Sequence, residues 1–383
     1  MKSAAIIAEF NPFHNGHKYL IDTIKNEYDV DFLAVFMSGD FVQRGEPAIF
    51  DKYTRAALAL AGGADVVFEL PAVYATSSAP DFAYGGVILS DALNCIDYLA
   101  FGSECGDIES LKATAELLNN EPDDFKAMLI NGQKDGKSYA LALSDALEAY
   151  CGSSVLKSPN NILGVEYIKS LLKLNSKLSP ITITRYGVSH DSVETFTDPS
   201  NGHTYESASL IRKRIHESAD KNKDFPMFYE DFALPLFSSL RSISKENLSR
   251  VLGADADMAN RILSASLTSS SLSELIENSA HKQITRASIS RVLIHLLLDI
   301  FEQDKSEPSY VRLLAMKKSA SPFMKQAQRN SAIPIVTKAA DFGIYDNQLF
   351  MKDLFAADLY SRARSLKYNI PFTPDIKKPP IIQ

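Results

Sequence analysis

Two histidines, His14 and His17, come directly after an apolar run at residues 4–8. The run predicts a buried strand, and Asn11-Pro12 predicts its end because the residue before a proline is held extended. The apolar spacing after His17 predicts a helix that begins at the histidines. The first N–H groups of a helix are unpaired and its dipole favours negative charge, so this turn predicts a site for a phosphate group.

The chemistry that suits such a site is the transfer of a nucleotidyl group. That transfer depends on positioned hydrogen-bond donors and positive charge more than on covalent catalysis, and an imidazole can supply either a donor or a charge. His14 and His17 are therefore candidates for stabilising a pentacovalent α-phosphate and the departing pyrophosphate, and Gly16 lets the backbone approach a ligand closely. The alternative, two surface histidines in a loop, is disfavoured by the flanking strand and helix.

A second candidate phosphate site lies at Ser207-Ala208-Ser209-Leu210-Ile211-Arg212. The hydroxyls of Ser207 and Ser209 can hold the β- and γ-phosphates, and Arg212 can pair with them through two hydrogen bonds. Taken alone, the pattern fits an N-capped surface helix better than a ligand site. Together with the histidines, it favours a phosphate-binding role. Arg44, in a glycine-bearing loop, is either a clamp for a phosphate or substrate carboxylate or an ordinary surface cation.

Strand and helix patterns alternate through the first half of the chain. Further apolar strand patterns cover residues 31–37, 65–70, 97–101 and 181–185. The alternation predicts an α/β fold with a parallel five-stranded sheet and helices on both faces. Ligands of such sheets bind beyond the carboxyl ends of the strands, so we expect the residues that follow each strand to converge on one crevice.

The second half of the chain differs in pattern and in charge. Beyond about residue 222 the pattern predicts helices and no clear strands, so we expect a catalytic domain at 1–220 and a mostly α-helical domain at 221–383. Residues 1–202 carry 15 Lys and Arg against 27 Asp and Glu, a formal charge of −12, whereas residues 203–383 carry 25 against 20, a charge of +5. The asymmetry fits a polyanionic partner or a solvated basic surface equally well.

Composition limits the remaining possibilities for the 383-residue chain, whose formal net charge is −7. No apolar run is long enough to cross a membrane, and the N-terminus does not resemble a signal peptide, so we expect a cytoplasmic protein. The three cysteines lack metal-ligand spacing, and no resident metal site is predicted.

Five motifs, in this order, carry a resemblance to a known family. They are Ile7-Ala-Glu-Phe-Asn-Pro-Phe-His-Asn-Gly-His17, Met37-Ser-Gly-Asp-Phe-Val-Gln-Arg-Gly-Glu-Pro-Ala48, Phe101-Gly-Ser-Glu104, Lys157-Ser-Pro-Asn-Asn-Ile-Leu-Gly164 and Ser207-Ala-Ser-Leu-Ile-Arg212. Together they resemble the bacterial tRNA-Met cytidine acetate ligase family, within the H-x-G-H nucleotidyltransferase superfamily. The resemblance implies a Rossmann-like, HUP-type sheet.

The family resemblance also implies a two-step reaction. Acetate attacks the α-phosphate of ATP to give acetyl-adenylate, and the exocyclic amine of the wobble cytidine in elongator tRNA-Met then takes the acetyl group. Mg²⁺ is expected because ATP usually carries it. The residues expected to contact ATP by resemblance are Ile7, Ala8, Glu9, Phe10, Asn11, Pro12, Phe13, His14, Asn15, Gly16, His17, Lys18, Tyr19, Leu20, Gly102, Asn161 and Arg185.

The basic second half would hold the anticodon arm, and Lys282, Arg286 and Arg291, at the start of its strongest predicted helix, are the candidate tRNA-binding residues. No DNA or membrane partner is expected. Two other hypotheses about the function stay open. A small-molecule adenylyltransferase explains the motifs but leaves the helical half unused, and a non-catalytic tRNA-binding protein would not need both histidines and Arg212.

Overall fold

The computed structural model describes residues 1–185, 195–197, 204–218, 225–342 and 347–383. Its central sheet has the order β11-β10-β5-β2-β1-β6-β7, and β12 pairs with β10. The strands are β1 Ser3–Ala8, β2 Phe32–Ser38, β3 Phe41–Val42, β4 Glu46–Pro47, β5 Val66–Leu70, β6 Tyr98–Ser103, β7 Ser179–Thr184, β8 Phe196–Thr197, β9 Thr204–Tyr205, β10 Val311–Met316, β11 Ile335–Val336 and β12 Ile381–Ile382.

Strands β5, β2, β1, β6 and β7 are mutually parallel. Their carboxyl ends therefore meet at one edge, as the alternating pattern predicts. The helices are α1 Asn15–Glu27, α2 Lys52–Ala61, α3 Ala72–Ala75, α4 Ala79–Ala92, α5 Ile108–Asn119, α6 Asp123–Lys134, α7 Tyr139–Cys151, α8 Pro159–Lys173, α9 Ala208–Glu217, α10 Ala233–Ser242, α11 Lys245–Leu248, α12 Ala256–Ser266, α13 Leu272–Ser279, α14 Arg286–Leu297, α15 Ser321–Asn330 and α16 Gln348–Tyr368.

Two apolar layers cover the sheet, one on each face. On one face, α1 and α2 pack Ile21 and Leu60 against Ile6, which points to that side of β1. On the other face, α4 and α8 pack Phe82 and Tyr167 in the same cluster as Ile7. Successive strand residues point to opposite faces, so the apolar run in β1 is buried on both sides. The predicted Rossmann-like α/β fold with helices on both faces is confirmed.

The expectation of no clear strands beyond residue 222 is wrong. β10 lies antiparallel beside β5 and extends the sheet, with Leu313 opposite Phe68. Its short apolar run, Val311–Met316, cannot be distinguished from a buried helix segment by periodicity alone. The described part of the chain from residue 225 onward is otherwise mostly helical. The domain boundary at residue 220 stays a prediction, and strands from both sides of it build one sheet.

No helix within the described ranges is long and apolar enough to cross a membrane.

Candidate active site

His14 and His17 form the entrance of α1. His14 is the N-cap residue, and its Nδ1 accepts a hydrogen bond from the Gly16 N–H at 3.0 Å. Nδ1 of His17 accepts from the His14 N–H at 3.3 Å, which completes a reciprocal capping box. The two rings stack with centroids 3.7 Å apart. Backbone hydrogen bonding and stacking thus hold both imidazoles in place before any ligand arrives.

These hydrogen bonds also determine where a neutral ring carries its proton. A ring nitrogen that accepts an N–H cannot itself be protonated, so Nδ1 is the acceptor and Nε2 the donor in both histidines. Phe10 packs against His17 with centroids 4.7 Å apart and is itself almost fully buried. Phe10 has a φ of 47°, a left-handed conformation that is costly for an aromatic residue. The turn is therefore built to aim two Nε2–H donors from one helix entrance.

A buried arginine ties the ends of the neighbouring strands together. The Arg55 guanidinium on α2 donates to the carbonyls of Phe50, Glu9 and Ser38 at 2.9, 2.5 and 3.1 Å, and also to the Gly39 carbonyl. It is fully buried, and burial lowers its pKa. Arg55 thus links the main-chain carbonyls at the carboxyl ends of β1 and β2 through one guanidinium. No sequence pattern identifies Arg55 as buried, because a single arginine within an apolar helix resembles a surface cation.

Arg212 joins α9 to the histidine turn. Its guanidinium donates to the Asn11 carbonyl at 2.7 Å and to Ser209 Oγ at 3.3 Å, and it lies 3.9 Å from Glu46 Oε1. Ser207 caps α9 by accepting from the Leu210 N–H at 3.1 Å. The two candidate phosphate sites, almost 200 residues apart in the chain, therefore share one hydrogen bond.

Glu9 follows directly after β1 and lines the same cleft as His14 and Arg212. Its Oε1 accepts from the Gln43 N–H at 2.9 Å, which fixes the loop that carries Arg44. Burial raises the pKa of Glu9; Arg212 opposes this shift, and the nearby Glu46 carboxylate adds to it. A carboxyl group that keeps its proton more readily than usual repels an incoming polyphosphate less.

The other wall of the cleft comes from β6, β7 and the start of α8. A side chain at Gly102 would place its Cβ 3.3 Å from the Arg185 stem, so glycine lets Arg185 lie over β6. Asn160 Oδ1 lies 3.5 Å from the Arg185 guanidinium. Asn161 instead turns its Oδ1 to the backbone N–H groups of Glu104 and Cys105, at 2.9 and 3.2 Å.

The sequence-predicted residues mostly surround one cleft. Those that line it are Ile7, Ala8, Glu9, Phe10, Asn11, His14, Gly16, His17, Tyr19, Leu20, Arg44, Gly102, Arg185, Ser207 and Arg212. Those that do not line it are Pro12, Phe13, Asn15, Lys18, Asn161 and Ser209. Asn15 donates to the Thr204 carbonyl at 2.7 Å, and Lys18 pairs with Asp22 at 2.9 Å. The convergence of strand ends on one crevice is thus observed, while the individual ligand contacts stay predictions.

Several residues that line the cleft were not among the predicted contacts, although Gln43, Phe101, Asn160, Leu163 and Ala208 lie within the motifs that carry the family resemblance. They are Gln43, Phe82, Phe101, Asn160, Leu163, Tyr167, Ile183 and Thr184, besides Ile6 and Ala208. Phe82 and Tyr167 lie on helix faces that also pack in the core, and a core pattern does not reveal that one end of it faces a cleft.

The candidate tRNA-binding residues lie at the start of α14. Arg286 is exposed and pairs with Glu277 at 2.7 Å, and Lys282 is exposed. Arg291 is half-buried, and burial lowers its pKa. The hairpin β3–β4 reaches this helix, since a Cβ on Gly45 would lie 2.3 Å from the Arg291 backbone nitrogen. This contact places α14 next to the loop that carries Arg44.

Among the described residues, no group of three or more His, Cys, Asp or Glu side chains is arranged to hold a metal ion. The described residues around the cleft thus provide no set of protein ligands for a metal ion. The expected Mg²⁺ stays a proposal, namely that the ion is bound by the triphosphate.

Comparisons with known proteins agree with this geometry. A family model described as HIGH Nucleotidyl Transferase matches residues 1–370. A tRNA(Met) cytidine acetate ligase of Thermoanaerobacter sp. is 37% identical over 94% of this chain and 94% of its own length. The namesake from Acetivibrio thermocellus is 34% identical over 89% of each chain.

Solved structures agree in fold over the full length. The apo crystal structure of Thermotoga maritima TmcAL superposes with a TM-score of 0.89 at 28% identity, covering 100% of this chain and 99% of that one. The same protein bound with alpha-thio ATP gives a TM-score of 0.87 over the same coverage. The predicted family and the predicted enzyme class, a ligase with a nucleotidyltransferase fold, are confirmed. The chain belongs to the tRNA(Met) cytidine acetate ligase family of HIGH nucleotidyl transferases.

Proposed function

We propose that this protein uses ATP to activate acetate as acetyl-adenylate and transfers the acetyl group to N4 of the wobble cytidine in elongator tRNA-Met. The observation that carries the proposal is the joining of the histidine turn to α9 through the Arg212–Asn11 hydrogen bond. It brings two donor-rich helix entrances to one cleft, where a triphosphate could span them.

In the first step, a carboxylate oxygen of acetate bonds to the α-phosphorus while the bond to the pyrophosphate oxygen breaks. The Nε2–H groups of His14 and His17 donate to phosphate oxygens on which charge accumulates. Arg212, with Ser207 at the start of α9, holds the departing pyrophosphate. Arg185, lying over Gly102, borders the nucleoside. No protein group needs to bond to the substrate covalently.

In the second step, the cytidine amine attacks the acetyl carbonyl carbon, the bond from that carbon to the AMP oxygen breaks, and the amine nitrogen loses one proton. The acceptor base has to reach the cleft from outside, since α14 and the Arg44 loop stand at its border. Single-stranded bases of an anticodon loop can be splayed into such a cleft. A tRNA substrate implies the cytoplasm as the location, and Mg²⁺ would travel with ATP.

The experiment combines purified protein, ATP, labelled acetate and elongator tRNA-Met, followed by digestion of the tRNA to nucleosides. We expect label in N4-acetylcytidine. The matched control is the same tRNA with uridine at the wobble position, which should remain unlabelled while acetate-dependent ATP–pyrophosphate exchange continues. Exchange that proceeds equally without acetate contradicts the proposal and favours a small-molecule adenylyltransferase. tRNA binding without any exchange favours a non-catalytic protein.

A further inference from the structure

The inner end of the cleft is an apolar recess between the sheet and the helices α4 and α8. Its walls are Ile7 on β1, Phe82 on α4, Phe101 on β6, and Leu163 and Tyr167 on α8. Four of these are almost closed to solvent, with exposed fractions of 6% for Ile7, 2% for Phe82 and 4% each for Phe101 and Tyr167. These side chains are held mainly by the core, so each presents only a small apolar surface to the cleft.

The walls of the recess cannot retreat easily. Gly164 lets the Phe101 ring lie directly against α8, because a Cβ there would be 2.7 Å from the ring, and Tyr167 packs on the same ring at 5.5 Å. Gly86 lets Ile7 lie against α4 in the same way, with 2.5 Å between a built Cβ and the Ile7 side chain. Interiors packed this closely resist expansion, so the width of the recess is set by the fold.

One polar group, the Tyr167 hydroxyl, borders this apolar space. Tyr167 is 4% exposed, and its hydroxyl oxygen is not among the fully buried, unpartnered polar atoms of the described residues, so it faces the cleft. Burial raises the pKa of Tyr167 well above its usual range, and the neighbouring Glu9 adds to the shift, so the hydroxyl keeps its proton. A protonated hydroxyl at the surface of a cleft can donate a hydrogen bond to a carboxylate ligand.

The opposite wall of the cleft suits the nucleotide. Tyr19 and Leu20 come from α1, which covers the other face of the sheet, and Gly102 and Arg185 lie at the ends of β6 and β7, where Arg185 also approaches Asn160 at the start of α8. The histidine turn lies between the two walls, directly beyond β1. A substrate in the recess would therefore meet the α-phosphate site from the side that the nucleotide does not occupy.

We propose that the recess bounded by Ile7, Phe82, Phe101, Leu163 and Tyr167 binds the acid substrate, and that its width admits only short aliphatic carboxylates such as acetate. The methyl group contacts the apolar walls, and the Tyr167 hydroxyl donates to one carboxylate oxygen. The other oxygen bonds to the α-phosphorus as the bond to pyrophosphate breaks, and no proton moves. This inference rests on the proposed function and adds the residues that select the acid.

The test is ATP–pyrophosphate exchange by the full-length protein with acetate, propionate and butyrate, for the wild type and Leu163→Ala. Leu163 is half-buried, so the truncation is tolerated better than a change in the centre of the core. A pocket separates neighbouring chain lengths by about tenfold or more, so the kcat/KM for butyrate relative to acetate should rise by about tenfold. Leu163→Phe should narrow the recess and abolish exchange with acetate, while ATP affinity measured by equilibrium dialysis stays at its wild-type value.

Tyr167→Phe tests the hydroxyl separately. Because Tyr167→Phe removes a hydrogen bond to a charged carboxylate, it should raise the KM for acetate by about tenfold. The KM for propionate should rise by the same factor, and the KM for ATP should not change. The matched control is Phe125→Leu, a buried aromatic on α6 outside the cleft, which should keep the wild-type acid preference.

The outcomes separate the two proposals. If the wild type shows acetate-dependent exchange but every recess variant keeps the wild-type acid preference and KM, the recess is not the acid site and the proposed function stands. If the wild type shows no exchange that depends on any acid, the proposed function itself fails.

Discussion

The cleft and the contact between the two halves of the chain are built in opposite ways. The centre of the cleft comes from consecutive residues, the histidine turn at the end of β1. The contact between the halves contains four buried charged residues from distant positions, Lys52, Glu69, Arg312 and Asp375, which we call the ionic cluster. Their side chains are 1–4% exposed, and the cations lie 2.6–3.2 Å from the carboxylates.

The two regions also differ in how their charges are satisfied. In the ionic cluster, burial alone would raise the pKa of Asp375, but Lys52 and Arg312 hold it well below its usual value. The charges of the cluster are paired within it and closed to solvent, whereas His14, His17 and Arg212 line a cleft that opens to solvent. A closed set of buried charges fits a structural role, and donor groups that line an open cleft fit a ligand site.

Breaking the ionic cluster should give the largest effect. Asp375→Ala leaves Lys52 and Arg312 buried with Glu69 as the one remaining carboxylate of the cluster, and removing one partner of a buried ion pair costs about 3–5 kcal/mol of unfolding free energy. Urea unfolding monitored by circular dichroism measures the loss.

The matched control for the cluster is Asp22→Ala, which breaks the exposed Lys18–Asp22 pair, 2.9 Å long against 2.8 Å for Lys52–Asp375. Exposed pairs contribute about 0–1 kcal/mol, so the control should barely shift the midpoint. Equal losses in both variants would show that burial does not distinguish the cluster.

Substitutions in the cleft should change the activity of the protein rather than its stability. His14→Asn keeps an N-cap acceptor for the Gly16 N–H but removes the Nε2 donor. Removing one preorganised donor to a charged transition state typically lowers kcat by about 10²–10³-fold, which acetate-dependent ATP–pyrophosphate exchange will measure.

Asp107→Asn is the control for His14→Asn, since Asp107 caps α5 in the same manner but lies outside the cleft. It should keep wild-type exchange. A His14→Asn protein that still activates acetate at the wild-type rate would remove His14 from the mechanism.

The same contrast explains what could be predicted from the sequence. The histidine turn is local, so strand, turn and helix signals around His14 identify it without any tertiary information. The ionic cluster joins Lys52 to Asp375 across 323 residues, and no local pattern pairs them. Tyr167 and Arg55 have side chains typical of a core or a surface, and only the fold shows where they face. β10 was missed because its strand partner, β5, lies more than 240 residues earlier.

A buried histidine at the contact between the halves should make stability depend on pH. His295 on α14 is 2% exposed and lies 2.7 Å from the Leu252 carbonyl and 3.0 Å from Thr76 Oγ1. Burial lowers its pKa from 6.5 to about 4. Below pH 6.5 the unfolded chain binds a proton that the native state does not, so stability is complete above that pH and falls towards pH 4.

Between pH 7 and pH 5, the low pKa of His295 should lower the unfolding free energy by about 2 kcal/mol. Asp40 acts in the opposite direction, because burial raises its pKa to about 6 and the native state binds its proton more tightly. The comparison is therefore made between the wild type and His295→Gln, by urea unfolding at both pH values. The wild type should lose about 2 kcal/mol more than the variant over this interval; parallel losses would remove His295 as the cause.

The smallest effect is expected at the exposed start of α14. Reversing Lys282 and Arg286 to glutamate should change stability by no more than about 0.5 kcal/mol, because both side chains are exposed and Arg286 has only a surface partner. If they contact tRNA phosphates, the dependence of log Kd on log salt should flatten by about one per contact removed, with acetate-dependent exchange unchanged.

The control for these reversals lies at the opposite edge of the sheet. Lys325 and Arg329 are exposed on α15, whose Phe323 stacks at 6.0 Å on Phe32, the first residue of β2. They lie at the amino ends of the strands, so reversing them makes the same change in net charge far from the cleft. A specific tRNA surface on α14 predicts that only the first pair alters the salt dependence. Equal effects from both pairs would mean that tRNA senses net charge alone, and the start of α14 would then be ordinary basic surface.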